Sequence, residues 1–171
     1  MVLYFTPLVY LLYNIIVYFF SRVPIIYTPK NYYSELFKNI EIGEESVVYE
    51  LGCGKANFLF LAEKRSPRKL VGFELSFFHV FFANIKSLIL KSKVKVYLRN
   101  FFKADISDAS IIYMFLVEKV VNKAWEKIEK EVAVGTIVVT LSDKITGKEY
   151  VKKIPTRPGD SNSTFFYLYK V

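Results

Sequence analysis

A chain of 171 residues with 24 Lys and Arg against 16 Asp and Glu has room for one domain and a short extension, and carries a net charge of +8. The excess favours acidic surfaces such as anionic lipid, RNA or an acidic protein, but the cations are scattered and form no Arg-rich RNA-binding element, which argues against a specific nucleic-acid partner. One cysteine, Cys53, and one histidine, His79, exclude an internal disulfide and argue against a zinc site, so no metal is expected.

Residues 1–20 hold no charged side chain. As a helix they would rise about 30 Å, the thickness of the hydrocarbon core of a bilayer. Tyr4 and Phe5 at one end and Tyr18, Phe19 and Phe20 at the other fit interfacial aromatic belts. A basic leader and a small-residue cleavage site are both missing, so a removable signal is not expected. Arg22, Lys30 and Lys38 follow the segment and no cation precedes it. The sequence therefore predicts a transmembrane helix over 1–21 that anchors the chain to a membrane, with the remaining domain cytoplasmic. Pro7 and Asn14 count against spanning; the rival is a helix lying on the membrane or on the domain itself. Residues 22–45 form an entry segment, in which Pro24 and Pro29 impose an extended path. Asn31 is placed to cap a short helix with Tyr33, Leu36, Phe37 and Ile40 on one face.

The domain over 46–171 opens on Val47-Val48-Tyr49-Glu50-Leu51-Gly52-Cys53-Gly54. A β-branched and aromatic run ends in an acid, two glycines make a tight turn, and Asn57 to Ala62 begins a helix that Ser66-Pro67 stops. That is the first half of a nucleotide-binding α/β unit. A pyrophosphate site wants G-x-G-x-x-G, and here the third glycine would fall at Asn57. A glutamate directly before the first glycine would repel phosphate and hold an ammonium group. S-adenosylmethionine (SAM) carries an amino-acid ammonium and a sulfonium, both cationic. Cys53 fills the small-residue slot of the turn and is expected to be a packed thiol, not a nucleophile.

Lys69 to Glu74 reads as a second strand that also ends in an acid, one able to accept both ribose hydroxyls. Ser76 is the natural cap of the next helix, whose Phe77, Phe78, Phe81, Phe82, Ile85, Leu88 and Ile89 are expected to pack in the core. His79, on the same helix, is expected at a boundary or exposed. Val94 to Leu98 alternates as a third strand, and Ser110 to Phe115 is a continuous apolar run suited to a central parallel strand. Val117, Val120, Val121, Ala124, Ile128 and Val132 stripe a long helix with a charged outer face, including a Glu126–Lys130 pair. Thr136 to Leu141 is a fifth strand, and Glu149–Ile154 with Thr164–Lys170 can supply a terminal antiparallel pair. The order predicts a doubly wound, Rossmann-like α/β sheet, mostly parallel with an antiparallel C-terminal strand, preceded by the hydrophobic helix.

Glu50-Leu51-Gly52-Cys53-Gly54 resembles the E/D-x-G-x-G motif of class I SAM-dependent methyltransferases. Val23-Pro24 through Thr28-Pro29-Lys30 resembles the proline-bracketed entry of the lysine methyltransferases that act on ATP synthase subunit c and the adenine nucleotide translocase. Tyr49 to Gly54, Gly72 to Phe77, and Arg99 to Asp105 followed by Ser107-Asp108-Ala109 are similar to that family too, across about Val23 to Leu141. The resemblance implies SAM as cofactor, bound through Thr28, Glu50, Gly52, Cys53, Gly54, Glu74, Leu75, Asn100 and Phe101. It also implies a protein substrate presenting a lysine. Two departures stand out. Ala56 replaces a frequent glycine, and Asn100 stands where many methyltransferases place an Asp for the adenine amine; its amide oxygen can still accept.

A lysine must be neutral to attack, and an aromatic channel favours that by desolvation. Phe102, Tyr113 and Phe115 are candidates to line it, with no general base assigned. The stretch Met114-Phe115-Leu116-Val117 lacks the (D/N)-P-P-(Y/F/W) motif of adenine-N6 and glutamine methyltransferases. Methylation of a small molecule, lipid or RNA, or a SAM-binding membrane module without catalysis, are the alternatives that the residues themselves leave open.

Overall fold

The structure, a computed structural model, describes residues 28–171. The expected hydrophobic helix over 1–21 and the first part of the entry segment lie outside the described residues. Among those described, no helix is long and apolar enough to cross a membrane.

Helix α1 (Tyr33–Asn39) follows a 3-10 turn and leads to strand β1 (Val47–Leu51), helix α2 (Asn57–Ala62) and strand β2 (Lys69–Glu74). Then come α3 (Phe77–Ile89), β3 (Val94–Leu98), a 3-10 turn at Phe101–Lys103, β4 (Ile111–Met114), α4 (Glu118–Glu131) and β5 (Ile137–Leu141). Strands β6 (Lys152–Pro155) and β7 (Phe165–Lys170) close the chain. They form one sheet in the order β3-β2-β1-β4-β5-β7-β6. Strands β1 to β5 pair in parallel, and β7 runs antiparallel to both β5 and β6. The doubly wound sheet with an antiparallel C-terminal strand is therefore as expected. Winding runs outward from β1 to β2 and β3, then returns to β4 on the other side, which leaves a crevice at the carboxyl ends of β1 and β4.

Every residue of β1 and β4 is buried, because helices cover both faces. Period-two alternation divides the core. Val48, Tyr113 and Val139 point to one face, where they meet Leu36 and Phe37 of α1, Phe58 and Leu59 of α2, and Val80 and Ala83 of α3. Tyr49, Leu51, Ile112 and Met114 point to the other, against Val121, Ala124, Trp125 and Ile128 of α4.

Several local details depart from the sequence reading. Asn31 caps no helix; its carbonyl accepts from the Ser34 hydroxyl at 2.8 Å. Ser76 occupies the N-cap position of α3, but its side chain makes no capping bond. On α4 the i,i+4 ion pair is Lys127–Glu131, one residue on from the pair expected. The largest departure is α3. Its Phe77, Phe81, Phe82, Ile85, Leu88 and Ile89 are exposed, while His79, Val80, Ala83 and Ser87 face the sheet. The cause lies at the sheet edge. Strand β3 has no neighbour on its outer side, and an unpaired edge needs cover. Asn84 supplies it by donating to Val96 O at 2.8 Å and accepting from Val96 N at 3.1 Å, and Ser87 donates to Val94 O at 2.7 Å. Ser87 points inward to do this, and Asn84, itself exposed, reaches the edge from the rim of the helix, so the bulky residues point out.

Candidate functional site

The crevice is shaped by the turn after β1. Gly52, Gly54 and Ala56 all hold left-handed torsions, with φ of 72°, 50° and 55°. The N–H groups of Gly52 and Cys53 converge on the Phe73 carbonyl at 2.9 and 3.0 Å, which fastens the turn to β2. A side chain at Gly52 would bring Cβ to 2.7 Å from Leu116 Cδ2. At Gly72 a Cβ would lie 2.6 Å from Cys53 Sγ, so the thiol is packed directly over the β2 backbone. Burial first, then the carboxylates of Glu50 and Glu74, push the Cys53 thiol well above its ordinary range. It is a packing residue, as expected.

Glu50, the penultimate residue of β1, lies on the face shared with its cross-strand partner Tyr113. It is only 5 % exposed, and its Oε2 has no hydrogen-bond partner. Burial pushes its carboxyl well above the usual range; the Leu59 backbone N–H opposes this and the Glu74 carboxylate adds to it. A buried carboxyl with an unused oxygen is a costly arrangement unless a cation completes it. Thr28, Tyr33 and Tyr113 gather beside it. Burial first and the charge of Glu50 second push the Tyr33 hydroxyl above its ordinary range, and hydroxyl contacts with Thr28 and Tyr113 oppose this. Tyr113 is likewise pushed up by burial, and its Oη, despite those neighbours, makes no bond of full hydrogen-bond geometry. Its ring packs 4.4 Å from that of Phe58.

Glu74, at the end of β2, is a different carboxylate. Its Oε2 accepts from Gly54 N at 2.8 Å, and its Oε1 accepts from Leu75 N and Ser76 N, each at 2.8 Å. About four acceptor positions exist on a carboxylate, so three are already filled by backbone. Asn100 follows β3 and uses its Oδ1 to accept from Phe102 N at 3.0 Å, which caps the short 3-10 turn. Phe101 and Phe102 lie 4.3 Å apart, ring to ring.

Of the expected cofactor residues, Glu50, Gly52, Cys53, Gly54, Glu74 and Leu75 lie at the ends of β1 and β2, Asn100 and Phe101 follow β3, and Thr28 of the entry segment sits beside Tyr33 and Tyr113. The expected channel residues do not form one group. Tyr113 and Phe115 belong to the face with α1 and α2, whereas Phe102 packs against the face with α4. Two side chains escaped the sequence reading. Tyr33 is visible only as part of an apolar stripe, although its hydroxyl, four residues after Pro29, is a signal. His79 is buried and not at a boundary; burial lowers its pKa, Glu74 opposes that, and Lys55 adds to it.

These residues fit a ligand that carries an amino-acid ammonium and a nucleoside. Glu50 has an orphan oxygen for the first, and Glu74 and Asn100 keep acceptor capacity for the second. Among the described residues no cluster of three or more His, Cys, Asp or Glu could hold a metal ion. Residues 50–152 match the family described as the ANTKMT methyltransferase domain. A protein-lysine N-methyltransferase from Saccharolobus islandicus (strain REY15A) is 31 % identical over 153 residues, which is 88 % of this chain and 94 % of that protein. The fold is similar to an RNA methyltransferase from Salinibacter ruber crystallised with S-adenosyl-L-homocysteine, with a TM-score of 0.78 at 21 % identity over 85 % of this chain and 94 % of that one. It is also similar to a ribosomal protein L11 methylase from Lactobacillus delbrueckii subsp. bulgaricus, with a TM-score of 0.63 at 9 % identity over 82 % and 77 % of the two chains.

Proposed function

We propose that this chain, which belongs to the ANTKMT methyltransferase-domain family and is a SAM-dependent methyltransferase, acts on lysine side chains of a protein. In this reading residues 1–21 tether it to a membrane, with the sheet domain on the cytoplasmic side. One observation carries the cofactor assignment: the buried Glu50 carboxyl, with Oε2 unpartnered at the foot of a glycine turn, lacks only a cation.

When bound, SAM supplies a methyl group on a positively charged sulfur, so the reactivity belongs to the cofactor. Glu50 would hold the amino-acid ammonium, whose charge would favour its ionised form. Glu74 fixes the Gly54 and Leu75 backbone and offers its remaining lone pair to a ribose hydroxyl. Asn100 and Phe101 would hold the base, and Leu75 the sugar. Lysine has a reference pKa of about 10.4 and must arrive neutral. The aromatic surroundings of Tyr33, Tyr113 and Phe115 favour the neutral amine, because desolvation disfavours its charged form. The two tyrosine hydroxyls, pushed upward by burial, keep their protons near neutral pH. They orient an amine by hydrogen bonding and do not take its proton.

The test is transfer of a labelled methyl group from SAM to membrane proteins, lipid extracts and RNA, followed by hydrolysis of the labelled product. Methyllysine in the protein fraction is the expected result. Label in lipid or RNA with none in protein would sink the lysine assignment, and tight SAM binding without transfer would sink catalysis.

A further inference from the structure

Packing accounts for the Tyr113 ring but not for its hydroxyl. The ring meets Phe58 at 4.4 Å, Tyr33 at 5.7 Å and Phe166 at 6.4 Å, measured between centroids. Phenylalanine would make those same contacts without burying an unbonded hydroxyl, which costs stability. Tyr113 is 1 % exposed, and its Oη has no hydrogen-bond partner. Its cross-strand neighbour on the same face is Glu50, whose Oε2 is the second buried orphan. Neighbouring strands lie about 4.8 Å apart, so the two side chains rise next to each other. Tyr33 of α1 and Thr28 of the entry segment, both buried, bring two more hydroxyls to the pair.

One carboxyl and three hydroxyls make an acceptor-rich space with a single available charge. An ammonium has three N–H donors and no acceptor, so it can use three of these oxygens at once. Two amines come into question, that of the substrate lysine and that of the cofactor. The lysine must be neutral to attack, and a carboxylate beside it would hold it charged. The cofactor's amino group takes no part in the transfer and can stay an ammonium throughout. The tyrosine rings can still desolvate the lysine's approach, but their hydroxyl ends lie within the field of Glu50.

We propose that Tyr113 Oη, Glu50 Oε2 and the paired hydroxyls of Tyr33 and Thr28 form a three-acceptor pocket for the α-ammonium of SAM, which makes Tyr113 and Tyr33 cofactor-binding residues. The inference rests on the SAM assignment of the proposed function and deepens it: the site selects nucleoside ligands that carry a free α-amine. It is independent of which substrate receives the methyl group.

Calorimetry on the full-length protein tests it with two ligands, S-adenosyl-homocysteine and its deaminated analogue, in which hydrogen replaces the α-amine. Wild type should bind the deaminated ligand about 100-fold more weakly, as a buried charge loses its partner. Tyr113→Phe should bind S-adenosyl-homocysteine about tenfold more weakly than wild type, as for a hydrogen bond to a charged group, and the deaminated ligand equally well. Tyr33→Phe should show the same selective loss. Thermal unfolding of ligand-free Tyr113→Phe should come no earlier than in wild type, because the hydroxyl it removes holds nothing. Unchanged affinity of Tyr113→Phe for S-adenosyl-homocysteine would overturn the proposal, and so would an equal loss for both ligands, which marks a packing defect. A Tyr113→Phe protein that unfolds would overturn it too. A selective loss confined to Tyr113→Phe would strike Tyr33 from the pocket. Wild type that binds both ligands equally would remove the ammonium pocket and leave the SAM assignment standing, whereas wild type that binds neither would sink that assignment itself.

Discussion

Two glutamates close neighbouring strands at the same crevice, and they live in opposite circumstances. Glu74 is half-buried and holds three backbone N–H groups at 2.8 Å. Glu50, ending the strand paired with it, is buried, has one oxygen unpartnered, and is pushed toward its neutral form. The difference separates two jobs that a list of site residues would merge. Glu74 serves the protein first, fixing the glycine turn to the start of α3 and leaving one lone pair for the ligand. Glu50 serves the ligand, and the folded chain is less comfortable for having it. Functional sites are where such local costs are retained.

The largest expected effect follows from that cost. Glu50→Gln keeps the shape and removes the charge, so it breaks a buried ion pair with the SAM ammonium, worth about 3–5 kcal/mol. Calorimetry should show SAM affinity falling by two orders of magnitude or more. Stability without cofactor should move differently. Folded Glu50 keeps its proton to higher pH than the unfolded chain does, so the folded state binds more protons between the two pKa values. Ligand-free wild type should therefore lose stability as pH rises from the ordinary carboxylate range up to the raised value, by at most about 1.4 kcal/mol per pH unit. In Glu50→Gln that component should vanish, and saturating SAM should suppress it in wild type. Denaturant titrations over that range measure it. Identical pH slopes in variant and wild type would remove the contrast between the two carboxylates.

Glu74→Ala should cost less and in both currencies together. Three N–H groups lose their acceptor, and a lost hydrogen bond to a charged group costs about 1–3 kcal/mol. Thermal unfolding should drop, and SAM affinity should weaken by a similar amount as the Gly54 turn loosens. A variant that lost affinity at unchanged stability would make Glu74 a ligand residue alone, with no part in holding the turn.

Much of this was open to sequence reasoning, for identifiable reasons. Strands β1, β2, β4 and β5 are short apolar runs between turn residues, and the acid–glycine spacing put Glu50, Gly52, Gly54 and Glu74 at one crevice. Thr28 came from resemblance, since nothing local says that an entry segment folds back over β1. Tyr33 and His79 were missed because burial of a polar side chain is decided by what packs over it, which periodicity does not reveal. The stripe on α3 is legible in the sequence, but the side it faces is not. Periodicity gives a face but no direction, and direction here is set by Asn84 and Ser87 capping the open edge of β3. On α4, which lies over the opposite face of the sheet and seals no open edge, Val121, Ala124 and Ile128 point inward as the pattern says.

The smallest effect concerns Ala56, at the N-cap of α2, at φ 55° and fully buried. Left-handed torsion costs an L-residue roughly 1–2 kcal/mol, which Ala56→Gly would relieve. Against this, glycine gives the unfolded chain extra freedom worth about 0.4–1 kcal/mol. Loss of one buried methyl removes about 0.8 kcal/mol more. These contributions nearly cancel, so stability should change by less than about 1 kcal/mol. The informative reading is affinity. If Glu74 fixes the turn through Gly54 N, the conformation is imposed from outside and the identity of residue 56 is indifferent, so SAM should bind Ala56→Gly as it binds wild type. A tenfold change in affinity would mean that the turn sets its own shape, and the supporting role assigned to Glu74 would pass to the backbone of residues 52–56.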